Sequence, residues 1–567
     1  MPSLNFQLLL LLSIPVFFIA VTLSPSLRLC IQTYVPFRPG SKNPALRPDD
    51  PDVFCYGSIT TVDGNDRVLA PGCFSVNANG TFGEVFATPE GLRVEEMRKN
   101  GWWVDLSAHV VPGLWDGHAH LLGYGEMLEN VKLYGVNSLE EANKRIDDYH
   151  RLHPGSGTRQ NWIQGIGWDQ SLLPTGMPTA ADLPDNQYIL LYRVDVHCLW
   201  VSAPVLALLP SSPIAPPGGT IPSPGVFCDN AMDLILPLLS PATTAQKKHY
   251  ITTAQKQLHT YGIVGLHDAG VLAQDRDLYF SLASSNKLGL RINAMIECRS
   301  RNSFCPLEAT RINHPFLLVR SVKLFADGAL GSWGAALLSP YSDNPTTSGT
   351  MLLSAAELTN VTTLWSNAGY QVCIHAIGDL ANRLAIDAIA AAAGGLKHRV
   401  EHAQIISPAD QARMKSLGII PSIQPTHATS DSYYAAARLG TKRLRESAYR
   451  MKSLLDLHPV LGSDFPVEPP SVLAGIYAAV ERRDPKVGGE RWFPEEALTV
   501  GQALRGFTRA PAEAVGWEGV GKVERGAWAD WVVLDRRLGK GRDNEWLRGE
   551  EAVRETWIAG KRVFGRE

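Results

Sequence analysis

The stretch "PGLWDGHAHLLG", Pro112 to Gly123, sets His118 and His120 two positions apart at the end of an apolar run. On a β-strand, residues i and i+2 project from the same face, so both imidazoles would be offered to one partner. A metal ion is one such partner; two ordinary polar residues leaving a core is the other reading. Four further residues of ligand type fall in comparable places: Lys323 in "VRSVKLFADG", His375 in "GYQVCIHAIGD", His402 in "KHRVEHAQI" and Asp464 in "HPVLGSDFP". Each lies at or near the C-terminal end of an apolar run. Six residues so placed are much harder to ascribe to chance than any one alone.

The runs that must position them form a series. Apolar strand patterns at 110–120, 262–270, 290–298, 319–328, 369–379, 397–405, 417–427 and 458–466 alternate with helix patterns such as "DLANRLAIDAIAAAAG". Strand–helix alternation predicts a parallel sheet, and eight strands predict its closed form, a (β/α)8 TIM barrel whose chemistry sits at the C-terminal strand ends. The fold class is therefore α/β, with the barrel over 112–470. The interval 121–261 is too long for one crossover and predicts an inserted subdomain. Short runs with turn signals at 52–111 and 500–567 predict a small composite β-sandwich built from both chain ends.

Near-neutral net charge (−3) and the absence of a long basic run argue against nucleic acid as a partner. Eight cysteines over 567 residues are too sparse for a disulfide scaffold. From Leu4 to Leu23 the chain is almost wholly apolar and uncharged, long enough to cross a membrane as a helix. Residues 1–25 therefore read as a transmembrane anchor or signal, followed by a Pro-rich linker over 26–51. This predicts a membrane-anchored or secretory-pathway protein. Arg28, Arg38, Lys42 and Arg47 follow the apolar run, which by the positive-inside rule places the body in the cytosol. The sequons Asn79-Gly-Thr81 and Asn360-Val-Thr362 are usable only in a lumen. The two signals oppose each other and leave orientation open.

The motifs "PGLWDGHAH", "GLHDAG", "VKLFADGALGSWGAALLSPY", "IHAIGD", "VEHAQ", "QPTHATSD", "GSDFPVE" and "RGAWADWVVLD" occur in order from about 112 to 535. In these the chain resembles the amidohydrolase superfamily, in the amidohydrolase-3 group typified by YtcJ-like proteins and N-substituted formamide deformylase. The resemblance implies a metal-dependent barrel. It also implies His118, His120 and Asp464 as ligands of one ion, with Asp464 as general base, and His375 and His402 as ligands of a second. Lys323 matches the position of a carbamylated lysine bridging two metals. An ammonium has donors only, whereas its carbon dioxide adduct offers two anionic oxygens. The alternative for Lys323 is a cation paired with Asp327 or another carboxylate, leaving a single ion. Asp195 and His197 in "RVDVHCLWV" resemble a substrate-contacting motif that normally has Gly where Val196 stands. His427 and Asp431 are further candidates for orienting substrate.

Imidazole and carboxylate ligands suit zinc, and a bound divalent ion lowers the pKa of water towards about 7. The implied reaction is hydrolysis of a non-peptide C–N bond in a small-molecule substrate, amide or formamide in type, with Asp464 moving the proton. The same ligands would serve a lactone, an ester, a cyclic ureide or an aminated ring. A third reading is a catalytically silent, membrane-tethered binding module. The membrane, through the N-terminal segment, and a second copy of the chain in a homodimer complete the expected partners.

Overall fold

The computed structural model describes residues 53–392, 395–539 and 544–566. The hydrophobic helix expected over 1–25 and the linker over 26–51 lie outside the described residues. Among the described residues no helix is long and apolar enough to cross a membrane.

The eight expected barrel strands are present in chain order: Leu114–Ala119, Ile263–Val271, Arg291–Ile296, Leu317–Phe325, Gln371–Ala376, Arg399–His402, Ile420–Ile423 and Val460–Leu461. Each pairs in parallel with the next. The first, third and fifth are buried at every residue. That pattern belongs to strands covered on both faces, and it explains why they read as unbroken apolar runs. The eighth strand meets the first at the mouth, where Asp464 N donates to His118 O (2.8 Å) and His120 N to Phe465 O (2.9 Å). Glycine makes this approach possible: a Cβ on Gly117 would fall 2.2 Å from Val460 Cγ1, and one on Gly462 2.5 Å from His118 N. The helix Ala355–Asn367 between strands four and five starts at a capping box, Ser354 with Glu357.

The β unit draws on both chain ends, but its hydrogen bonding runs through one eight-stranded sheet rather than two layers. Strand Trp103–Pro112 lies between Val53–Thr60 and Trp531–Leu534. The sheet curls back on itself, since Phe82 N donates to Ala527 O. Trp531 thereby packs against Phe54, Phe74 and Trp557, at 5.3, 5.0 and 4.6 Å between ring centroids. Alternating strand patterns report strands, not how many sheets they form. A buried Arg291–Asp530 pair (2.6 Å) ties barrel to sheet.

The insertion after the first strand forms a six-stranded sheet of its own. Among the described residues three disulfides are present: Cys55–Cys73 in the curled sheet, Cys198–Cys228 in the insertion and Cys298–Cys305 after the third barrel strand. The cysteines thus make no scaffold, but they do make local staples. Cys373 is a buried free thiol.

Candidate metal centre

Alternation along the strands builds the floor of the site. Cys373 and His375 share one face of the fifth strand, and the register sets Lys323 beside Cys373 and Phe325 beside His375. On the sixth strand Arg399 and Glu401 take the inner face, so His402, one position on, should point away. It does not. Positive φ at His402 (69°) and Ala403 (44°) breaks the strand and re-aims the ring. Its centroid lies 4.9 Å from that of His118 and 4.4 Å from that of His375. Asp464, also at positive φ (62°), brings its Oδ1 to 3.5 Å from His118 Nε2 and 3.1 Å from His120 Nε2. Asp116 fixes that turn by accepting hydrogen bonds from Ser463 N, Ser463 Oγ and His118 N. The structure therefore brings His118, His120, Lys323, His375, His402 and Asp464 to one mouth.

Glu401 touches the candidate ligand His118 and was missed in reading the sequence. Its Oε2 lies 2.6 Å from His118 Nδ1, while Arg399 Nε and Nη2 donate to its two oxygens at 2.8 and 2.9 Å. Arg399 and Glu401 are fully buried. Burial opposes ionisation of Glu401, but the Arg399 guanidinium, then His118, outweigh it and hold the carboxyl well below its ordinary range. A carboxylate only accepts, so His118 Nδ1 carries the proton and Nε2 is left bare toward the mouth. The signal that would have found Glu401 is the pair of charges two apart in an apolar strand, "RVE". Glu401→Ala leaves Arg399 buried and unpaired, and is expected to cost about 3–5 kcal/mol, read from the denaturation midpoint.

Several buried side-chain nitrogens make no hydrogen bond among the described residues, His375 Nε2, His402 Nδ1 and His427 Nε2, and Asp464 Oδ1 has only the imidazoles of His118 and His120 near it. Buried polar atoms are rarely left so. Ligand atoms of His118, His402 and Asp464 all lie within 4.8 Å of one another. Two ligands roughly 2.1 Å from a tetrahedral zinc ion stand about 3.4 Å apart. The 3.1 and 3.5 Å separations around Asp464 Oδ1 match that spacing. Burial, then the Lys323 ammonium, push His118 down to about 4, and burial takes His375 and His402 well below the ordinary value. Neutral imidazoles are what a cation needs, so the residues fit a divalent metal.

Lys323 is not paired with Asp327. That carboxylate accepts from the backbone N–H groups of Ala336, Ile377 and Gly378. Lys323 is 2% exposed, and its Nζ lies 3.2 Å from His118 Nε2. No carboxylate lies within 4.0 Å of it among the described residues.

The insertion contributes His197, whose ring lies 5.4 Å from that of His375. Its Nδ1 is 2.8 Å from Asp229 Oδ1. Burial works against the imidazolium, yet the Asp229 hydrogen bond and charge raise the pKa above its ordinary value. Asp229 was not legible, because antiparallel pairing brings it to His197 from 32 residues away. The Cys198–Cys228 disulfide joins the residues next to both. Gly328 makes room for Asp229, since a Cβ there would meet its carboxylate at 2.4 Å. Val196 sits at φ +55°, as the missing glycine foreshadows. Val196→Gly is expected to stabilise the fold by an amount on the order of 1 kcal/mol, the relief of strain less the added chain entropy, as an upward shift in denaturation midpoint.

The other substrate-contact candidates divide. His427 Nε2 is 3.9 Å from Asp464 Oδ2, and the ring stacks on His402 at 6.0 Å. Asp431 is engaged by its neighbours: it accepts from Gln404 Nε2 (2.9 Å) and Tyr449 OH (2.6 Å), and from Tyr434 OH. Asp195 pairs with Arg193 and accepts from His197 N (3.1 Å), which shapes the loop under His197. Both acids support the residues beside them.

Residues 104–564 match the model of the amidohydrolase family. Protein LONG AFTER FAR-RED 3 of Arabidopsis thaliana is 30% identical over 492 residues, covering 80% of this chain and 82% of that protein. The N-substituted formamide deformylase of Arthrobacter pascens is 25% identical over 467 residues, 75% of this chain and 83% of that one. An uncharacterized metal-dependent hydrolase from Pyrococcus furiosus superposes with a TM-score of 0.67 at 28% identity, over 86% of this chain and 99% of that one. With its barrel, its mouth of histidines and this match over most of its length, the chain belongs to the amidohydrolase family, in the amidohydrolase-3 group.

Proposed function

We propose that this chain is a metal-dependent hydrolase that cleaves a non-peptide C–N bond, of amide or formamide type, in a small molecule. The observation that carries this reading is the set of buried imidazole nitrogens without a hydrogen bond on His375 and His402, gathered with Asp464 around His118 Nε2. The likeness to the metal-dependent hydrolase of Pyrococcus furiosus and the N-substituted formamide deformylase of Arthrobacter pascens supports this reading. His118, His120 and Asp464 would hold one ion, His375 and His402 a second, with Lys323 between them. A divalent ion so held, zinc by its donor set, supplies Lewis acidity and lowers the pKa of water towards about 7.

An ammonium 3.2 Å from His118 Nε2 would repel such a cation. Loss of one proton would give the Lys323 amine, whose addition to carbon dioxide would form an N–C bond and release a second proton, leaving a carbamate whose oxygens could serve a cation. Asp464 would hold the ion through Oδ1 and accept the proton of the attacking water at Oδ2, the oxygen beside His427. Burial opposes its ionisation, but His118 and His120 outweigh burial and hold the carboxyl below its usual range, so it stands ionised and open to a proton. Water adds to the carbonyl carbon, the C–N bond breaks, and Asp464 returns the proton to the departing nitrogen. His197, held by Asp229 at Nδ1 and favoured as an imidazolium, would offer its Nε2–H to the carbonyl oxygen as charge develops there. His427 flanks the carboxylate and orients the substrate. Turnover of the zinc-loaded protein on a panel of N-substituted formamides, simple amides, lactones and esters tests the assignment. Release of amine from a formamide or amide is expected; turnover confined to lactones or esters would overturn it.

A further inference from the structure

The pairing of the cysteines bears on where the protein works. Cys55 and Cys73 stand directly opposite on antiparallel strands, as do Cys198 and Cys228, while Cys298 and Cys305 close a short loop. The three bonds serve three separate parts of the body. The cytosolic glutathione and thioredoxin pools keep thiols reduced, so such bonds form and persist in oxidising compartments. The one thiol left free among the described residues, Cys373, is buried in the barrel. A second observation is independent of the cysteines. Asn79 is exposed on the tight connection between strands Gly72–Val76 and Phe82–Ala87, and Asn360 is exposed on the outside of helix Ala355–Asn367. Both head Asn-x-Thr triplets. At neither place would a sugar meet the curled sheet's aromatic core or the barrel mouth.

We propose that the folded body of this chain lies on the oxidising, lumenal or extracellular side of a membrane, with Asn79 and Asn360 as N-glycan acceptors. The apolar run Leu4–Leu23 delivers it there, and the basic residues beyond that run do not hold the body in the cytosol. Oxidation also reaches the site, because Cys198 follows His197 and Cys228 precedes Asp229, so one disulfide staples the pair together. This last link rests on the hydrolase reading; the compartment and the acceptors do not.

The test expresses the full chain, with its own N-terminal segment, in yeast. Endoglycosidase H digestion is expected to remove two glycans from the parent, one each from Asn79→Gln and Asn360→Gln, and none from the double variant. Thr81→Ser should keep the glycan at Asn79 and Thr81→Ala lose it, which separates acceptor chemistry from misfolding. Alkylation of the denatured, unreduced chain should leave the six paired cysteines unlabelled until reductant is added. A chain with no glycan, and labelled at those six without reductant, overturns the proposal. Sugar at one position only overturns the other acceptor, and oxidised cysteines without sugar overturn both acceptors. Glycans on a chain whose six thiols are free would overturn the disulfide argument. None of these readouts depends on turnover, so failure here is distinct from failure of the hydrolase reading.

Discussion

Asp464→Asn is expected to lower kcat between about 10² and 10⁴-fold while leaving most of the bound metal in place. The amide keeps the size of the carboxylate and one ligating oxygen, and His118 and His120 would still hold the ion. What it loses is the basicity of the second oxygen, Oδ2, while Oδ1, 3.1 Å from His120 and 3.5 Å from His118, still faces the ligands. The backbone bond from residue 464 N to His118 O is untouched, so the mouth keeps its shape. Steady-state kinetics with metal analysis of the same preparation checks this. Near-parent kcat would remove Asp464 from proton transfer, and loss of metal with loss of activity would make it a ligand alone.

Stripping the protein with a chelator is expected to abolish turnover and lower thermal stability, both restored by added zinc. An ion that binds only the folded chain stabilises it by about 2.7 kcal/mol at 100 times its Kd. The size of the effect follows from the site. Several imidazole nitrogens are buried without a hydrogen bond, a costly arrangement unless a cation completes it. Thermal unfolding of the chelated protein against increasing zinc measures it. A melting temperature and activity indifferent to both chelator and zinc would mean that these residues hold no ion.

The barrel was legible because parallel strands buried on both faces are plain apolar runs, and because the ligand-type residues mark where each run ends. His118, His375 and Asp464 could be placed by that rule alone. His402 and Glu401 show its limit. Adjacent residues on a strand face opposite sides, and only the positive φ at 402 and 403 lets both serve one site. Asp229 meets His197 through a strand pairing inside the insertion, which no local spacing announces. The cysteine separations of 18, 30 and 7 carry no pattern either, since connectivity follows from the sheets they staple. The choice left open for Lys323 turned on Asp327, whose carboxylate is engaged by three backbone N–H groups contributed by residues the loop and fifth strand bring in. The β unit misled in one respect: an edge strand that curls back to residue 527 makes one sheet do what two layers were expected to do.

The most direct measurement is a crystal structure of the zinc-loaded protein with anomalous diffraction recorded on both sides of the zinc absorption edge. The account predicts an anomalous peak within bonding distance of His118 Nε2 and Asp464 Oδ1, a second toward His375, and density for a carbamate on Lys323 joining them. An occupied zinc site elsewhere, with the atoms around Asp464 showing no peak, would contradict it.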